Sequence, residues 1–147
     1  MLGLIQRVSS ASVSIDNQIH GCINQGVLLL LGIEKNDSYT QADQLLQKIL
    51  NYRIFSDEQG KMNLSLQDIT GDLLVVSQFT LAADTNKGLR PSFSSAAPPE
   101  QAENIYDHFL DQAKTLNQGS VANGQFGADM QVSLCNDGPV TFLLNCT

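Results

Sequence analysis

Two short, uninterrupted apolar runs constrain the fold of this chain more than any other feature. One is VLLLL, enclosed by Gly26 and Gly32, and the other is LLVV at Leu73–Val76. A continuous apolar run of this length, bounded by turn residues, is typical of a strand that is buried on both of its faces. The sequence therefore predicts a sheet with a well-covered centre.

The segments around these runs predict further strands. Ala11, Val13 and Ile15 alternate with serines in a predicted strand over residues 2–15, and Asp16-Asn17 offers a turn into a returning strand at Gln18–Cys22. Four more strand-like segments are predicted, at Tyr52–Phe55, Leu73–Ala82, Asp129–Cys135 and Val140–Leu144. Between them we expect a loose segment at Gly119–Gly127 and a hairpin turn at Asn136–Pro139.

Two helices complete the predicted elements. Thr40 is the expected cap of the first helix, with Asp43 at the capping-box position, and Pro99 suits the first turn of the second. The apolar stripes of the two helices are Ala42, Leu45, Leu46, Ile49 and Leu50, and Ile105, Tyr106, Phe109, Leu110 and Ala113. The predicted fold is α+β: one sheet-rich domain over residues 1–147, with antiparallel and mixed sheets forming a barrel-like core.

Net charge, cysteine spacing and the absence of several motifs limit which ligands and which cellular location we expect for this protein. The 147 residues include 8 Lys and Arg against 15 Asp and Glu, a net charge of −7, which argues against indiscriminate binding to nucleic acid. Cys22, Cys135 and Cys146 have no metal-ligand spacing and are expected to be buried or free thiols. No signal peptide, membrane-spanning run, metal motif or cofactor motif is present, so we expect a cytoplasmic protein with no membrane partner, metal or cofactor.

Polar residues interrupt the predicted strand that begins at Leu73. Ser77, Gln78 and Thr80 surround Phe79, where a core strand should be apolar. Their side chains could simply satisfy loop backbone at a strand end. Alternatively, the strand end lines a pocket whose backbone N–H groups are free to bind an anion. The long polar loop that follows contains Lys87 and Arg90, whose side chains are either surface charges or phosphate contacts.

Several segments, taken together and in order, resemble one family. They are LIQRV, ASVSI, YRIFSDEQGKMNLS, VVSQFTLAADT, KGLRPSF, ADMQVSL and NDGPVTF. This series is similar to the D-aminoacyl-tRNA deacylases of the bacterial and eukaryotic type, and the resemblance extends over essentially the whole chain. SQFTL and NDGPVTF match that family's two signature motifs without a departure.

The resemblance implies an activity and an assembly. Members hydrolyse the ester that joins a D-amino acid, or glycine, to the 3′-terminal adenosine of tRNA. They are homodimers in which the SQFT strand of one subunit meets the Gly–cisPro turn of the other. The predicted catalytic residues are accordingly Ser77, Gln78, Phe79 and Thr80, with backbone N–H groups near Gln78 and Phe79 forming an oxyanion hole.

The predicted substrate-binding residues are Gly138, Pro139, Met130 and Arg7, with Arg7 supporting the Gly–Pro turn. Carbonyls of a cis Gly138–Pro139 segment would exclude an L side chain sterically. Water attack assisted by the 2′-hydroxyl of the tRNA is favoured over covalent attack by Thr80, because neither motif supplies an evident base. The expected partners are thus the aminoacylated 3′ end of tRNA and a second copy of the chain.

Other functions stay open on the sequence. A serine or threonine esterase would use the same pocket without tRNA, and a binding module would hold a D-aminoacyl adenosine without turnover. A structural dimer is a third alternative. A related enzyme of the superfamily favours L-alanine on a mischarged tRNA, and the orientation of the Gly138–Pro139 peptide would discriminate between the two.

Overall fold

The computed structural model describes residues 1–147, which form a strongly curled sheet with two helices packed on its outer face. The helices are α1 (Tyr39–Asn51) and α2 (Pro99–Leu116), and a short 3₁₀ turn spans Phe79–Ala82. The strands are β1 (Leu2–Ile15), β2 (Gln18–Ile23), β3 (Gly26–Gly32), β4 (Phe55–Ser56), β5 (Met62–Leu64), β6 (Asp72–Ser77), β7 (Val121–Asn123) and β8 (Gln131–Asn145). No helix has the length and apolar character needed to cross a lipid bilayer.

The main sheet is mixed and almost closes on itself. Its order is β2-β1-β3-β6-β7, and β8 also pairs with β1. Strand β1 is antiparallel to β2, β3 and β8, whereas β3, β6 and β7 are mutually parallel. Strand β2 reaches round to β7, since an added Cβ at Gly21 would lie 3.1 Å from the carbonyl oxygen of Asn123. The predicted barrel-like, sheet-rich α+β fold is therefore confirmed.

The two apolar runs divide their side chains between two cores. Leu29 and Val75 belong to the larger core, which also contains the apolar faces of both helices. Leu28, Leu74 and Val76 belong to a smaller core that also contains apolar residues of β1 and β2. Successive residues of a strand point to opposite faces, so a strand between two cores must be apolar at every position.

Both helices bury the stripes that the sequence predicts, but α1 begins earlier than expected. Its cap is Ser38, not Thr40: the Ser38 hydroxyl accepts a hydrogen bond from Thr40 N, and the Gln41 side chain accepts one from Ser38 N at 2.9 Å. This is a capping box placed two residues before the predicted one. The second helix begins at Pro99, as predicted.

Three strand predictions differ from the structure. The predicted strand Tyr52–Phe55 is displaced to Phe55–Ser56, where it pairs with β5. The segment Gly119–Gly127, which the sequence predicts to be loose, contains β7. This strand pairs with the edge of β6 that is not paired with β3. The predicted strand Leu73–Ala82 ends at Ser77 and turns into the 3₁₀ segment, because β3, its only partner on that side, ends at Gly32.

The predicted turn at Asn136–Pro139 is also wrong. Strand β8 runs without reversal through this segment, because both of its halves pair with the single long strand β1. Gln6 pairs with Thr141 and Val8 pairs with Asn136, so the four residues between Asn136 and Thr141 bulge out opposite Arg7. A bulge re-aims backbone and side chains at a defined place on a strand, and this one lies on the outermost strand of the sheet.

Candidate active site

A cavity of about 470 Å³ lies at the carboxyl ends of the parallel strands β3 and β6. Ser77, Gln78, Phe79 and Met130 all line it, so four of the predicted site residues lie around one cavity, and Thr80 is not among the lining residues. The rest of the lining is largely apolar and comprises Leu31, Ile33, Val76, Ala97, Pro99, Ala102, Phe126, Gly127, Ala128 and Val132. None of these fourteen residues carries a titratable side chain.

The backbone at the end of β6 leaves N–H groups free to bind a ligand. Gln78 N donates to Leu31 O at 2.8 Å, which continues the pairing of β6 with β3. The first hydrogen bond of the 3₁₀ turn runs from Leu81 N to Gln78 O at 3.2 Å. The N–H groups of Phe79 and Thr80 therefore have no acceptor inside the turn. The predicted donor pair moves one residue along the chain, from Gln78 and Phe79 to Phe79 and Thr80.

The hydroxyl of Thr80 has a partner that cannot activate it. The side-chain amide of Gln78 donates a hydrogen bond to Thr80 Oγ1 across the start of the turn. Activation of a threonine as a nucleophile requires a neighbouring base that removes its proton, and a carboxamide is not such a base. The structure thus brings Gln78 and Thr80 together in an arrangement that orients the turn.

The Gly138–Pro139 segment lies apart from this cavity within one chain. Its peptide bond is cis, as the resemblance implies, and both residues are exposed. An added Cβ at Gly138, whose φ is +147°, would lie 2.6 Å from Cγ2 of Val140 and 3.4 Å from a guanidinium nitrogen of Arg7. Only glycine fits this backbone and this close approach.

Arg7 holds the bulge in place from the neighbouring strand. Its Nε donates to Asp137 O at 2.9 Å, and its Nη1 donates to Ile54 O at 2.8 Å. The same Nε lies 3.8 Å from the Asp137 carboxylate, and the Arg7 side chain is largely buried. Arg7 thus contacts the residue that precedes Gly138 and does not line the cavity.

Sequence reasoning missed two residues that shape these regions. Asn136 closes the bulge, because its Oδ1 accepts from Val140 N and its Nδ2 donates to Thr141 Oγ1, both at 2.8 Å. Asparagine side chains often hydrogen-bond to nearby backbone, but the sequence does not show which backbone group Asn136 binds. Phe126 forms part of the apolar wall, and it lies in a segment with no periodicity to mark it.

A buried tyrosine anchors β6 just before the site. Tyr106 of α2 donates its hydroxyl to Val75 O at 3.2 Å. Burial, with a smaller contribution from the Asp107 carboxylate, raises the pKa of Tyr106, so the hydroxyl stays protonated and remains a donor. The strand end that carries Ser77 is thereby tied to the helical layer.

Two other kinds of potentially reactive side chain do not line the cavity. The imidazole of His108 contacts Asp43 at 2.8 Å and stacks on Tyr39 between the helices. All three cysteines are free thiols: Cys22 and Cys135 are exposed, and Cys146 is half-buried.

Comparison with known proteins agrees with the two motifs. A family profile described as D-Tyr-tRNA(Tyr) deacylase matches residues 4–145. The chain belongs to this deacylase family. The resemblance inferred from SQFTL and NDGPVTF is therefore confirmed, and the chain is an enzyme of the hydrolase class.

Similar proteins match this chain over almost its entire length. A D-aminoacyl-tRNA deacylase of Pseudoalteromonas translucida (strain TAC 125) is 68% identical over 144 residues, which is 98% of this chain and 99% of the relative. The D-aminoacyl-tRNA deacylase of Histophilus somni (strain 2336) is 63% identical over 145 residues, 99% of each chain. A solved structure of a c-Myc DNA unwinding element binding protein is 42% identical, with a TM-score of 0.94 over 100% of this chain and 99% of that one.

Proposed function

We propose that the protein hydrolyses the ester between a D-amino acid, or glycine, and the 3′-terminal adenosine of tRNA, and that it works in the cytoplasm, where tRNA is charged. The observation that carries this proposal is a pair of unpartnered N–H groups, those of Phe79, which lines an apolar cavity, and of Thr80, the next residue along the chain, in a chain that belongs to a deacylase family.

The cavity suits the adenosine end of such an ester. A purine is flat and largely apolar, and the walls contributed by Met130, Phe126 and Val132 offer apolar surface on the side facing Ser77. Ligand sites of this kind combine an apolar lining with a few placed polar groups. Seating the base against Met130 would bring the ester carbonyl to the end of β6, where Ser77 and the free N–H groups lie.

The free N–H groups would stabilise the negative charge that develops on the carbonyl oxygen of the ester. Attack on the carbonyl produces a tetrahedral intermediate with a negative oxygen, and two fixed backbone donors are the usual means of holding it. Phe79 N and Thr80 N are successive donors on a turn whose position is fixed by the Gln78–Leu31 hydrogen bond. They need no reorganisation when the charge appears.

The attacking group is water, assisted by the 2′-hydroxyl of the terminal ribose. The lining residues provide no titratable side chain, and the Thr80 hydroxyl is occupied by an amide donor. The 2′-hydroxyl lies on the ribose carbon next to the one that carries the ester, so the substrate itself supplies a group that can transfer a proton. In this mechanism the protein positions the ester, and the substrate's 2′-hydroxyl and water transfer the protons.

A second copy of the chain would complete the site. Strand β8 is an edge strand of 15 residues, and it exposes Leu134, Phe142 and Leu143. A long apolar edge is a hazard unless another chain covers it. We therefore infer a homodimer in which the partner's Gly138–Pro139 segment reaches the cavity, where its carbonyls accept the amino group of a D-residue and collide with an L side chain.

The first test compares deacylation of D-tyrosyl-, L-tyrosyl-, glycyl- and L-alanyl-tRNA with the rate in buffer alone. We expect rapid loss of the D-tyrosyl and glycyl esters, with the L-ester surviving at the buffer rate. Equal action on the D- and L-esters would identify a general esterase. Preferred action on L-alanyl-tRNA would identify the other specificity of the superfamily, and no action on any ester would leave only a binding role.

The dimer has its own test. Leu143→Glu places a charge on the exposed face of β8, and Leu116→Glu places the same charge on an exposed residue of α2 as the control. Light scattering should show dimers for the wild type and the Leu116 variant, and monomers with little deacylase activity for the Leu143 variant. A monomeric wild type with full activity would refute the interface site.

A further inference from the structure

The loop that follows the catalytic turn is held at its base and projects from the protein. Asp84 and Ser92 exchange two backbone hydrogen bonds, at 2.8 and 3.0 Å, which close the loop of residues 85–91. The Asp84 carboxylate also accepts hydrogen bonds from the backbone and side chain of Asn86. This base begins two residues after the 3₁₀ turn ends at Ala82, so the loop has a fixed position relative to the cavity.

The projecting part of the loop carries apolar and basic side chains. Leu89 at its tip is completely exposed, and Lys87 and Arg90 are exposed beside it. Neither cation forms an ion pair, although acidic residues outnumber basic ones 15 to 8 in the chain. An exposed leucine between two unpaired cations has no evident role in the stability of one chain.

An aromatic pair connects this loop to the cavity. Phe93 packs against Phe79 with ring centroids 5.1 Å apart and planes inclined at 58°. Phe79 lines the cavity, yet both rings keep large exposed surfaces. Phe79 therefore joins the cavity wall to Phe93, and Phe93 directly follows the closed loop that carries Leu89 and the two cations. We call the two rings, Leu89 and the two cations the 79–93 strip.

We propose that the 79–93 strip binds the unpaired nucleotides that precede the terminal adenosine of the substrate tRNA, a proposal that rests on the function proposed above. Single-stranded nucleic acid is bound by aromatic or apolar faces on which bases stack, next to cations that meet the phosphates. The strip offers both groups, in that arrangement, directly outside the cavity that takes the last nucleotide. Its positive charge favours an RNA strand over an apolar protein segment.

The test compares two substrates that differ only in these nucleotides: D-tyrosyl-tRNA and the D-tyrosyl ester of adenosine. The variants are Lys87→Ala/Arg90→Ala and Phe93→Leu, which keeps an apolar side chain but removes the ring. The matched control is Lys61→Ala/Lys114→Ala, two exposed cations elsewhere with the same change in net charge. Thermal unfolding verifies that each variant is folded.

We expect the ratio of kcat/KM for the tRNA ester to that for the adenosine ester to fall about fivefold or more in both strip variants. The plot of log kcat/KM for tRNA against log salt should also flatten in the double variant, by about 0.7 for each phosphate contact that is lost. The control should keep the wild-type ratio and slope.

Wild-type ratios and slopes in both strip variants would overturn the proposal while leaving the deacylase function intact, and would assign the exposed loop to a protein partner. An equal loss of ratio in the Lys61/Lys114 control would overturn it as well, since the effect would then be one of net charge alone. A wild-type enzyme that hydrolyses neither ester would overturn both the strip and the proposed function.

Discussion

Replacing Phe79 by proline should remove one of the two proposed N–H donors to the oxyanion and should keep the other backbone hydrogen bonds of the turn. Phe79 is the first residue of the 3₁₀ turn, the position at which proline is best tolerated because the N–H has no partner in the turn. Gln78, before it, has φ −142° and ψ 79°, which is outside the helical region that a following proline disfavours. The hydrogen bonds of Gln78 N and Leu81 N are both retained.

The expected size of the effect follows from the number of donors. Two N–H groups, those of Phe79 and Thr80, are free at the site, and loss of one such donor typically costs about 10²–10³ in kcat, or ~2.7–4 kcal/mol of transition-state stabilisation. The lost ring is a separate effect. Phe79→Ala removes the same ring and keeps the N–H, so the proline variant must be compared with the alanine variant.

The assay is single-turnover deacylation of D-tyrosyl-tRNA by Phe79→Pro and Phe79→Ala, with melting temperatures measured alongside. We expect the two variants to have similar melting temperatures. The deacylation rate of the proline variant should be at least about 100-fold lower than that of the alanine variant. If the two variants deacylate at rates within a few-fold of each other, Phe79 N does not hold the oxyanion, and the reasoning from unpaired donors fails.

Three further outcomes are expected. Thr80→Ala should keep near-wild-type deacylation, because the hydroxyl has no base; complete loss in a folded protein would instead favour covalent attack. Asn136→Ala should lower the free energy of unfolding by about 1–3 kcal/mol in urea titrations, since the half-buried Val140 N–H loses its acceptor. An unchanged urea midpoint would show that the bulge is stable without the Asn136 side chain. The Ser65 backbone N–H, helped by the Ser65 hydroxyl, holds the pKa of Asp68 below its ordinary value of 3.8. That carboxylate therefore stabilises the fold above this pH and loses its effect as the pH falls through its folded pKa. Asp68→Asn should accordingly lessen the acid sensitivity of stability, and identical pH profiles for the two proteins would contradict the assignment.

The sequence predicted those features whose cause is local. The apolar stripes of α1 and α2 have the helical period, and Asp16-Asn17 takes the positive φ values that a tight hairpin needs. The runs around Leu29 and Leu74 were predicted to be buried on both faces, and the structure places a core on each side. The two motifs, read together, also predicted the family correctly.

The sequence directed attention to Ser77–Thr80 but did not predict the geometry of this segment. It predicted that the strand beginning at Leu73 continues through these residues to Ala82. In the structure the strand stops at Ser77, because β3 offers a last acceptor, Leu31 O, to Gln78 and then ends. Whether a strand continues depends on its partner. The partner here is β3, which is distant in the sequence, and it decides which N–H groups stay free.

The Gly–Pro segment shows the same division between local and tertiary causes. By itself, NDGP is a turn sequence, and the four residues favour a reversal. The long strand β1 pairs with both sides of it and keeps β8 running in one direction, so the segment becomes a bulge held by Arg7 and Asn136. The sequence by itself thus determined the two helices and the buried faces of the central strands, since these depend on residues close together in the chain. It also determined the family, because the motifs can be read directly from the residues. The tertiary structure decided where β6 ends and how Gly138 is presented, because both depend on hydrogen bonds to strands far away in the sequence.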